Sequence, residues 1–392
     1  INHFSSEVNF ESHSINSFSN KQDIDSNALK IIHHNARSLM KPGRLDEYHM
    51  FLQTLKTPFD ILIFSETWLT SEKSDQCRFE GFHSIHLMRP TDNIIDFKVR
   101  GGGISIFIKD TLEFKHRDDL TVMLPYMECS FIELKFNNQN YLIGGIYRIP
   151  DTDTDHFIDK FNSILEPIKS THKIILLGDY NIDLQKNDSH KNNFEICLQS
   201  NYLIPTILSA TRVASKIQND QEIISETLID NIFINHNMHY QSGIIESSIT
   251  DHYSIYIIIP EIKKPSIEPD TITYRLINNS RLRTFHCYLN HLEINQVLDN
   301  YNAESAWPQF YKIFDDSYNK SFPIKTKTIT NKNSQKPWIN EELINGLKRR
   351  DQLKKAANKK KIDRKVYTNF RNELTTKFKQ AKTKYFKDKF EE

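Results

Sequence analysis

Apolar residues come in short runs over the first two thirds of the chain, and at helical spacing over the last third. Leu29–Ile32 predicts a buried strand, and Asp60–Phe64 (DILIF) predicts another. Between them Leu45, Tyr48, Phe51, Leu52 and Leu55 keep a helical period, so the chain opens as strand, helix, strand. After Gly101-Gly102-Gly103, Ile104, Ile106 and Ile108 alternate with Ser105, Phe107 and Lys109. Glu128–Phe136 alternates likewise, and Asn137-Asn138-Gln139-Asn140 is a hairpin turn into the return strand Tyr141–Ile149. A helix is expected over His156–Ile168 and another near His190–Gln199. Between these lies the aliphatic run Ile174–Leu177, which ends at Gly178. Leu228–Ile234 and Ser248–Ile259 are the last strong strands. Pro260, Pro265 and Pro269 then break the pattern and mark a domain boundary.

Residues 1–27 have no period and few aliphatics, which predicts disorder. The expected organisation is therefore a disordered segment 1–27, an α/β domain 28–260, and a helical segment 261–392. The net charge is +1, but from Lys336 onward 18 Lys and Arg face 8 Asp and Glu, so the end is basic and the body acidic. Four cysteines without a Cys-x-x-Cys pair suit a reduced intracellular protein and argue against a thiolate zinc site. No apolar run reaches membrane-spanning length, so no membrane partner is expected. The chain begins with Ile and ends within a charged helical pattern, which predicts a piece of a longer protein.

Chemistry-bearing residues collect at strand ends. Gly178 lets the chain turn sharply after its strand. Asp179 and Asn181, two apart, would share one side if the extended geometry continued. The competing reading of Gly-Asp-x-Asn is an ordinary turn. Asn35 and Glu66 follow the first two strands, and Tyr147 closes the hairpin. Asp230 interrupts LIDNIFI, where an unpaired charge is costly. Asp251-His252 opens the last strand. Each alone has a structural reading: Glu66 as a helix N-terminal carboxylate, Tyr147 as a core tyrosine, His252 as a satisfied histidine. The recurrence in strand after strand is what points to a site. His33-His34 and His236 with His239 lack the further ligands of a zinc finger and read as structural or exposed.

The order Asn35, Glu66, Tyr147, Gly178-Asp179-Tyr180-Asn181, Asp230, Asp251-His252 resembles the endonuclease/exonuclease/phosphatase superfamily over about Leu29–Ile259. Asn35-Ala36-Arg37-Ser38-Leu39, Ser65-Glu66-Thr67-Trp68-Leu69, the three glycines and Ile146-Tyr147-Arg148-x-Pro150 are similar to endonuclease domains of jockey-like non-LTR retrotransposons, as is Leu228-Ile229-Asp230-Asn231-Ile232. Pro337-Trp338 and the basic helices after it resemble the connector to a reverse transcriptase. The resemblance implies a four-layer α/β sandwich of two packed mixed sheets with helices outside, then a mainly helical segment. It implies a phosphodiester substrate in double-stranded DNA, nicked by water to leave a 3′-hydroxyl primer and a 5′-phosphate. It also implies a nuclear protein continuing into a reverse transcriptase domain, with the element's RNA as a partner for the basic segment.

Within that resemblance Glu66 is the first Mg²⁺ ligand, with Mn²⁺ as a substitute, and Asn35 assists. Asp179 deprotonates the attacking water, and Asn181 holds the water or the phosphate. His252 donates to a non-bridging oxygen while Asp230 fixes its tautomer. Asp251 binds metal or supports the leaving group, and Tyr147 places its hydroxyl near the phosphate. Thr211-Arg212 resembles a Thr-Arg turn near DNA. Arg37 stands where AP endonucleases carry Asp, which counts against a dedicated abasic-site repair enzyme. An AP/DNA repair nuclease, a phosphoesterase for lipids or inositol phosphates, and an inactive nucleic-acid-binding remnant are the alternatives. The basic end would contact the phosphate backbone, or else form a solvated helical surface.

Overall fold

Alternation along each apolar run decides what it packs against. In the computed structural model, strand Ala28–Asn35 sends Leu29 and Ile31 into one cluster and Ile32 into another. Strand Ile61–Ser65 divides in the same way, Ile61 and Ile63 against Leu62 and Phe64. In strand Lys173–Asp179, Ile175 and Leu177 join that first cluster while Ile174 and Leu176 face a third. Successive side chains of a strand point to opposite faces, so a run apolar at every position must be covered on both.

The first cluster is the space between two seven-stranded mixed sheets. One sheet runs in the order Phe10–Ser14, Gln241–Glu246, Ser254–Lys263, Ala28–Asn35, Ile61–Ser65, Ile104–Lys109, Phe82–Leu87. The other runs Ile204–Pro205, Asp230–Ile234, Lys173–Asp179, Gln139–Arg148, Met127–Phe136, Phe114–His116, with Val122–Leu124 also paired to Met127–Phe136. Helix Arg44–Thr54 covers the outer face of the first sheet through Tyr48 and Phe51. Helices Thr154–Leu165 and Ser189–Ser200 cover the second through Phe157, Phe161, Phe194 and Leu198. The result is the expected four-layer α/β sandwich. Asp153 and Asp188 cap the two outer helices by accepting from their first-turn amides.

The structure describes residues 10–21, 24–90, 101–218, 221–235, 239–263, 271–291, 302–328 and 337–391. Several sequence expectations change. Part of the stretch expected to be disordered is a strand, Phe10–Ser14, parallel to Gln241–Glu246, followed by a short helix that buries Phe18. One edge strand and one aromatic are too little signal for periodicity to register; residues 1–9, 22 and 23 lie outside the described residues. The strand expected over Ser248–Ile259 begins at Ser254 and continues through Pro260 to Lys263. Its register against Ala28–Asn35 shifts between Ile259 and Lys263, which accommodates the proline.

The segment expected as one connector is divided. Residues 334–392 belong to the same compact unit as residues 1–266, and residues 267–333 form a second unit. Helices Glu341–Asn358 and Arg364–Glu391 pack together, and Leu343, Leu347, Leu374 and Phe378 cluster with Met50 of helix Arg44–Thr54. A side chain at Gly346 would meet Leu374 at 2.5 Å, so glycine lets the two helices approach. Arg350 pairs with Glu47 at 2.8 Å, and Lys382 pairs with Asp46 at 2.9 Å. In the second unit, strands Thr271–Arg275 and Ile324–Thr328 pair antiparallel, and helices Asn279–Asn290 and Ala303–Ser321 meet through Phe285, Phe314 and Tyr318. All four cysteines are free thiols. Among the described residues no helix is long and apolar enough to cross a membrane.

Candidate active site

Strands Ala28–Asn35, Ile61–Ser65 and Lys173–Asp179 end side by side at one rim of the sandwich, and the chain leaves each in a left-handed turn. Arg37, Ser38, Glu66, Trp68 and Asn181 all have φ between 43° and 79°. Such conformations cost about 1–3 kcal/mol each for ordinary residues and gather where a site must be held in shape. Backbone bonds pin the turns together: Ser38 N donates to Glu66 O at 2.8 Å, and Trp68 N donates to Gly102 O at 2.9 Å. Gly101, Gly102 and Gly103 all have positive φ, and a side chain at Gly103 would strike Thr67 Oγ1 at 2.6 Å. The glycine triple is therefore a turn that receives the Glu66–Trp68 segment.

Asn35 is fully buried and joins two carboxylates. Its Nδ2 donates to Glu66 Oε1 at 2.8 Å and to Asp179 Oδ2 at 2.7 Å, while its Oδ1 accepts from Arg37 N at 3.2 Å. Asp179 sits in strand register between Asp230 on one side and Tyr147 on the other. Burial, then the charge of Asp230, pushes its carboxyl up to about 7; His252 and the Asn35 amide work the other way.

Asp230 is buried and committed. Its Oδ2 accepts from His252 Nδ1 at 2.9 Å and from Thr211 Oγ1 at 2.8 Å, and its own N–H donates to Thr211 Oγ1 at 3.0 Å. This pairing meets the cost of a carboxylate inside an apolar strand. Burial opposes a charge on His252, but Asp230, with help from Asp179 and Asp251, outweighs it and raises the imidazole to about 9. His252 thus favours the imidazolium, with Nδ1 on Asp230. Its loop is held by Thr250, whose Oγ1 accepts from His252 N at 3.1 Å and lies 3.1 Å from Asn35 O and 3.0 Å from His34 Nε2.

Four placements differ from the sequence expectation. Gly178 lies inside its strand rather than at a turn, and a side chain there would meet Ile146 O at 2.0 Å. It is small because the neighbouring strand backbone is close. Asn181 does not share a strand face with Asp179, because its left-handed backbone ends the extended geometry. Its N–H donates to Asp179 Oδ1 at 3.0 Å, and its Nδ2 donates to Arg148 O at 2.8 Å. Thr211 is fully buried behind Asp230, with its hydroxyl committed to that residue. Asp251 is held between two cations: Arg37 Nε lies 2.9 Å from its Oδ1, and Arg212 Nε donates to its Oδ2 at 2.8 Å. Burial works against its charge, but His252, Arg37 and Arg212 hold its carboxyl below the usual range. With both oxygens occupied it is poorly placed as a metal ligand. Arg37, conspicuous in sequence only as a departure, is its partner.

Tyr147 is buried in register between Asp179 and Glu128. Burial, then Glu66, raises its phenol, so it remains a hydroxyl. Glu128 is a residue the sequence reading passed over. It is fully buried, accepts from Gly103 N at 2.6 Å, and is paired with Arg89, so it anchors the glycine turn. The available signal was a carboxylate at the head of an apolar strand, as at Asp230. His33 and His34 are buried on Ser65, Ser254 and Thr250 and are structural, as expected. His236 lies outside the described residues.

Asp179, Asp230 and His252 offer ligand atoms within 4.8 Å of one another, a group that could hold a metal ion. Asp230 and His252 are already spent on each other, and Asp179 and Glu66, joined through Asn35, are the carboxylates that remain beside them. Burial, then the charge of Asp230, keeps Asp179 raised, and a cation beside it would favour its ionised form. Oxygen donors suit a hard divalent cation.

Part of this chain is similar to several solved structures. The endonuclease domain of TRAS1, a telomere-specific non-LTR retrotransposon, is 11% identical, with 59% of this chain and 98% of that chain covered and a TM-score of 0.45. An AP endonuclease from Leishmania major is 12% identical, with 60% and 89% covered and a TM-score of 0.46. An endonuclease/exonuclease/phosphatase family protein from Leptotrichia buccalis is 16% identical, with 59% and 99% covered and a TM-score of 0.42. No protein-family model matches, and no curated protein matches.

Proposed function

We propose that this protein is a divalent-metal-dependent DNA endonuclease of the non-LTR retrotransposon kind, which nicks one strand of double-stranded DNA. The observation that carries this reading is the buried network in which Asn35 joins Glu66 to Asp179 while Asp230 holds His252 as an imidazolium. A base and a charged donor then face one another across a space lined by oxygen ligands. Glu66 and Asp179 would hold a divalent cation such as Mg²⁺, which when bound would supply positive charge against the phosphodiester. Asp179 orients the attacking water and takes its proton. His252 Nε2 donates to a non-bridging phosphate oxygen as charge grows there. The new bond forms between water oxygen and phosphorus, and the P–O3′ bond breaks. The 3′ oxygen leaves with that electron pair and takes a proton, giving a 3′-hydroxyl and a 5′-phosphate. Tyr147 and Asn181 border the phosphate, and Arg37 and Arg212 offer cationic edges at the rim.

The basic helix Arg364–Glu391 adds sequence-blind phosphate contacts. DNA as substrate makes the nucleus the site of action. An inactive remnant is disfavoured, because every motif position holds a residue able to play its part and these residues are hydrogen-bonded to one another.

The test is nicking of supercoiled plasmid by the full chain with Mg²⁺ or EDTA, beside Glu66→Gln, Asp179→Ala and His252→Ala. Open circles that need Mg²⁺ and fall at least ~100-fold in each variant support the reading. Equal nicking by wild type and variants overturns the assignment. A folded wild type that cuts no DNA overturns the nuclease and directs the search to other phosphoesters.

A further inference from the structure

The basic C-terminal helices were expected to face nucleic acid, yet one of their lysines points inward. Lys354, on helix Glu341–Asn358, is buried, and its Nζ donates to Thr250 O at 2.6 Å and lies 3.5 Å from Ser247 O. Burial, then the nearby Arg350, lowers its ammonium to about 8. Lysine is rarely buried unless it is paired, and this one is satisfied by backbone carbonyls of the loop that carries Asp251 and His252. The same stretch is held from the nuclease side by Arg44, which donates to Ile249 O. Beside the lysine a cavity of about 170 Å³ is lined by Glu246, Ser247, Ser248, Tyr253 and Lys354. The polar bridge, not close packing, therefore joins the helix to the loop at this point.

From Thr250 the connection into the site is short. Its hydroxyl accepts from His252 N and lies 3.1 Å from Asn35 O. One threonine thus has its carbonyl on the C-terminal helix and its hydroxyl on the two strand ends that carry the chemistry. The largely buried ion pair Arg350–Glu47 fixes the helix about one turn before the lysine.

We propose that helix Glu341–Asn358 is a positioning element of the active site, with Lys354 as its positioning residue: a buried ammonium that clamps the Thr250 carbonyl and so sets the place of His252. The proposal rests on the reading of His252 as the phosphate donor. It makes cutting depend on a segment that follows the sandwich in sequence and is separated from it by the second unit.

The experiment compares the full chain with Lys354→Met, Lys354→Arg and, as a control, Lys355→Met, an exposed neighbour paired with Glu246. Plasmid nicking gives kcat and KM, thermal melting reports folding, and the ¹H–¹⁵N correlation of the His252 imidazole at fixed pH reports its position. Lys354→Met is expected to lower kcat roughly 10- to 100-fold with KM unchanged, since small misplacements of a reacting group cost that much. It also displaces the His252 resonance. Lys354→Arg recovers part of the rate, and Lys355→Met keeps both readouts at wild type. Should Lys354→Met melt below the assay temperature, Lys354→Gln, which keeps an amide donor on a shorter stem, carries the same test. A folded variant with wild-type kcat and an unmoved His252 resonance overturns the proposal. Should the wild type cut no DNA, the nuclease reading fails while the resonance still decides the clamp: displacement upholds it, and none refutes it.

Discussion

Replacing Asp230 by asparagine removes the charge that keeps His252 protonated while leaving the side-chain shape almost unchanged. The imidazole stands at about 9 against an ordinary 6.5. That elevation corresponds to ~3 kcal/mol in favour of the imidazolium. The folded protein holds this proton more tightly than the unfolded chain. The stabilisation is therefore complete below about pH 6.5 and is lost as pH rises through about 9. In Asp230→Asn burial remains and works against the charge. His33 is the internal comparison: buried with only Ser65 on its Nε2, it falls to about 4, chiefly through burial. His252 in the variant is expected to titrate below 6.5 and to be neutral at neutral pH. The assay is an imidazole ¹H–¹⁵N titration of the metal-free protein, with melting temperatures at pH 6 and pH 10. Wild type titrates near 9 and loses stability between those two pH values through this group; the variant titrates below 6.5 and lacks that loss. Nicking by the variant at neutral pH falls at least ~100-fold, as for removal of one charged donor. A His252 that still titrates near 9 in Asp230→Asn refutes the assignment of Asp230 as the group that charges it.

Thr211→Val tests whether Thr211 acts through Asp230 or on substrate. The substitution leaves the Asp230 N–H and one Oδ2 contact unpaired in a buried place, at about 1–3 kcal/mol for each group; kcat is expected to fall with KM unchanged, whereas a raised KM with unchanged kcat would return Thr211 to the DNA surface. Gly178→Ala puts a Cβ 2.0 Å from the Ile146 carbonyl oxygen, which is backbone and cannot swing away. A loss of ~3 kcal/mol or more in urea unfolding is expected, and a variant as stable as wild type would contradict the close approach of the two strands.

The strands and outer helices were legible because both periods are local. A run such as Ile174–Leu177 is apolar at every position, and only a strand covered on both faces uses such a run well. Phe157, Phe161, Ile164 and Leu165 announced their helix through spacing alone. The strand Phe10–Ser14 and the inward face of helix Glu341–Asn358 were not legible. The first depends on a partner strand more than 200 residues away, and the second on a surface made by helix Arg44–Thr54 and the 247–250 loop.

The site divides in the same way. Residue types at strand ends nominated Asn35, Glu66, Tyr147, Asp179, Asp230 and His252, and the motifs that contain them gave the resemblance. Their relations were decided elsewhere. Asn35 bridges two carboxylates, Arg37 and Arg212 take both oxygens of Asp251, Thr211 stands behind Asp230, and Lys354 holds Thr250. Each of these contacts joins residues distant in sequence, and each depends on left-handed turns and strand registers that no local pattern encodes. By itself the sequence determined which stretches pair with water and which with apolar neighbours, since that choice is made residue by residue. Only the tertiary structure decided which polar groups meet, because a buried charge takes its partner and its proton affinity from whatever the packed strands bring beside it.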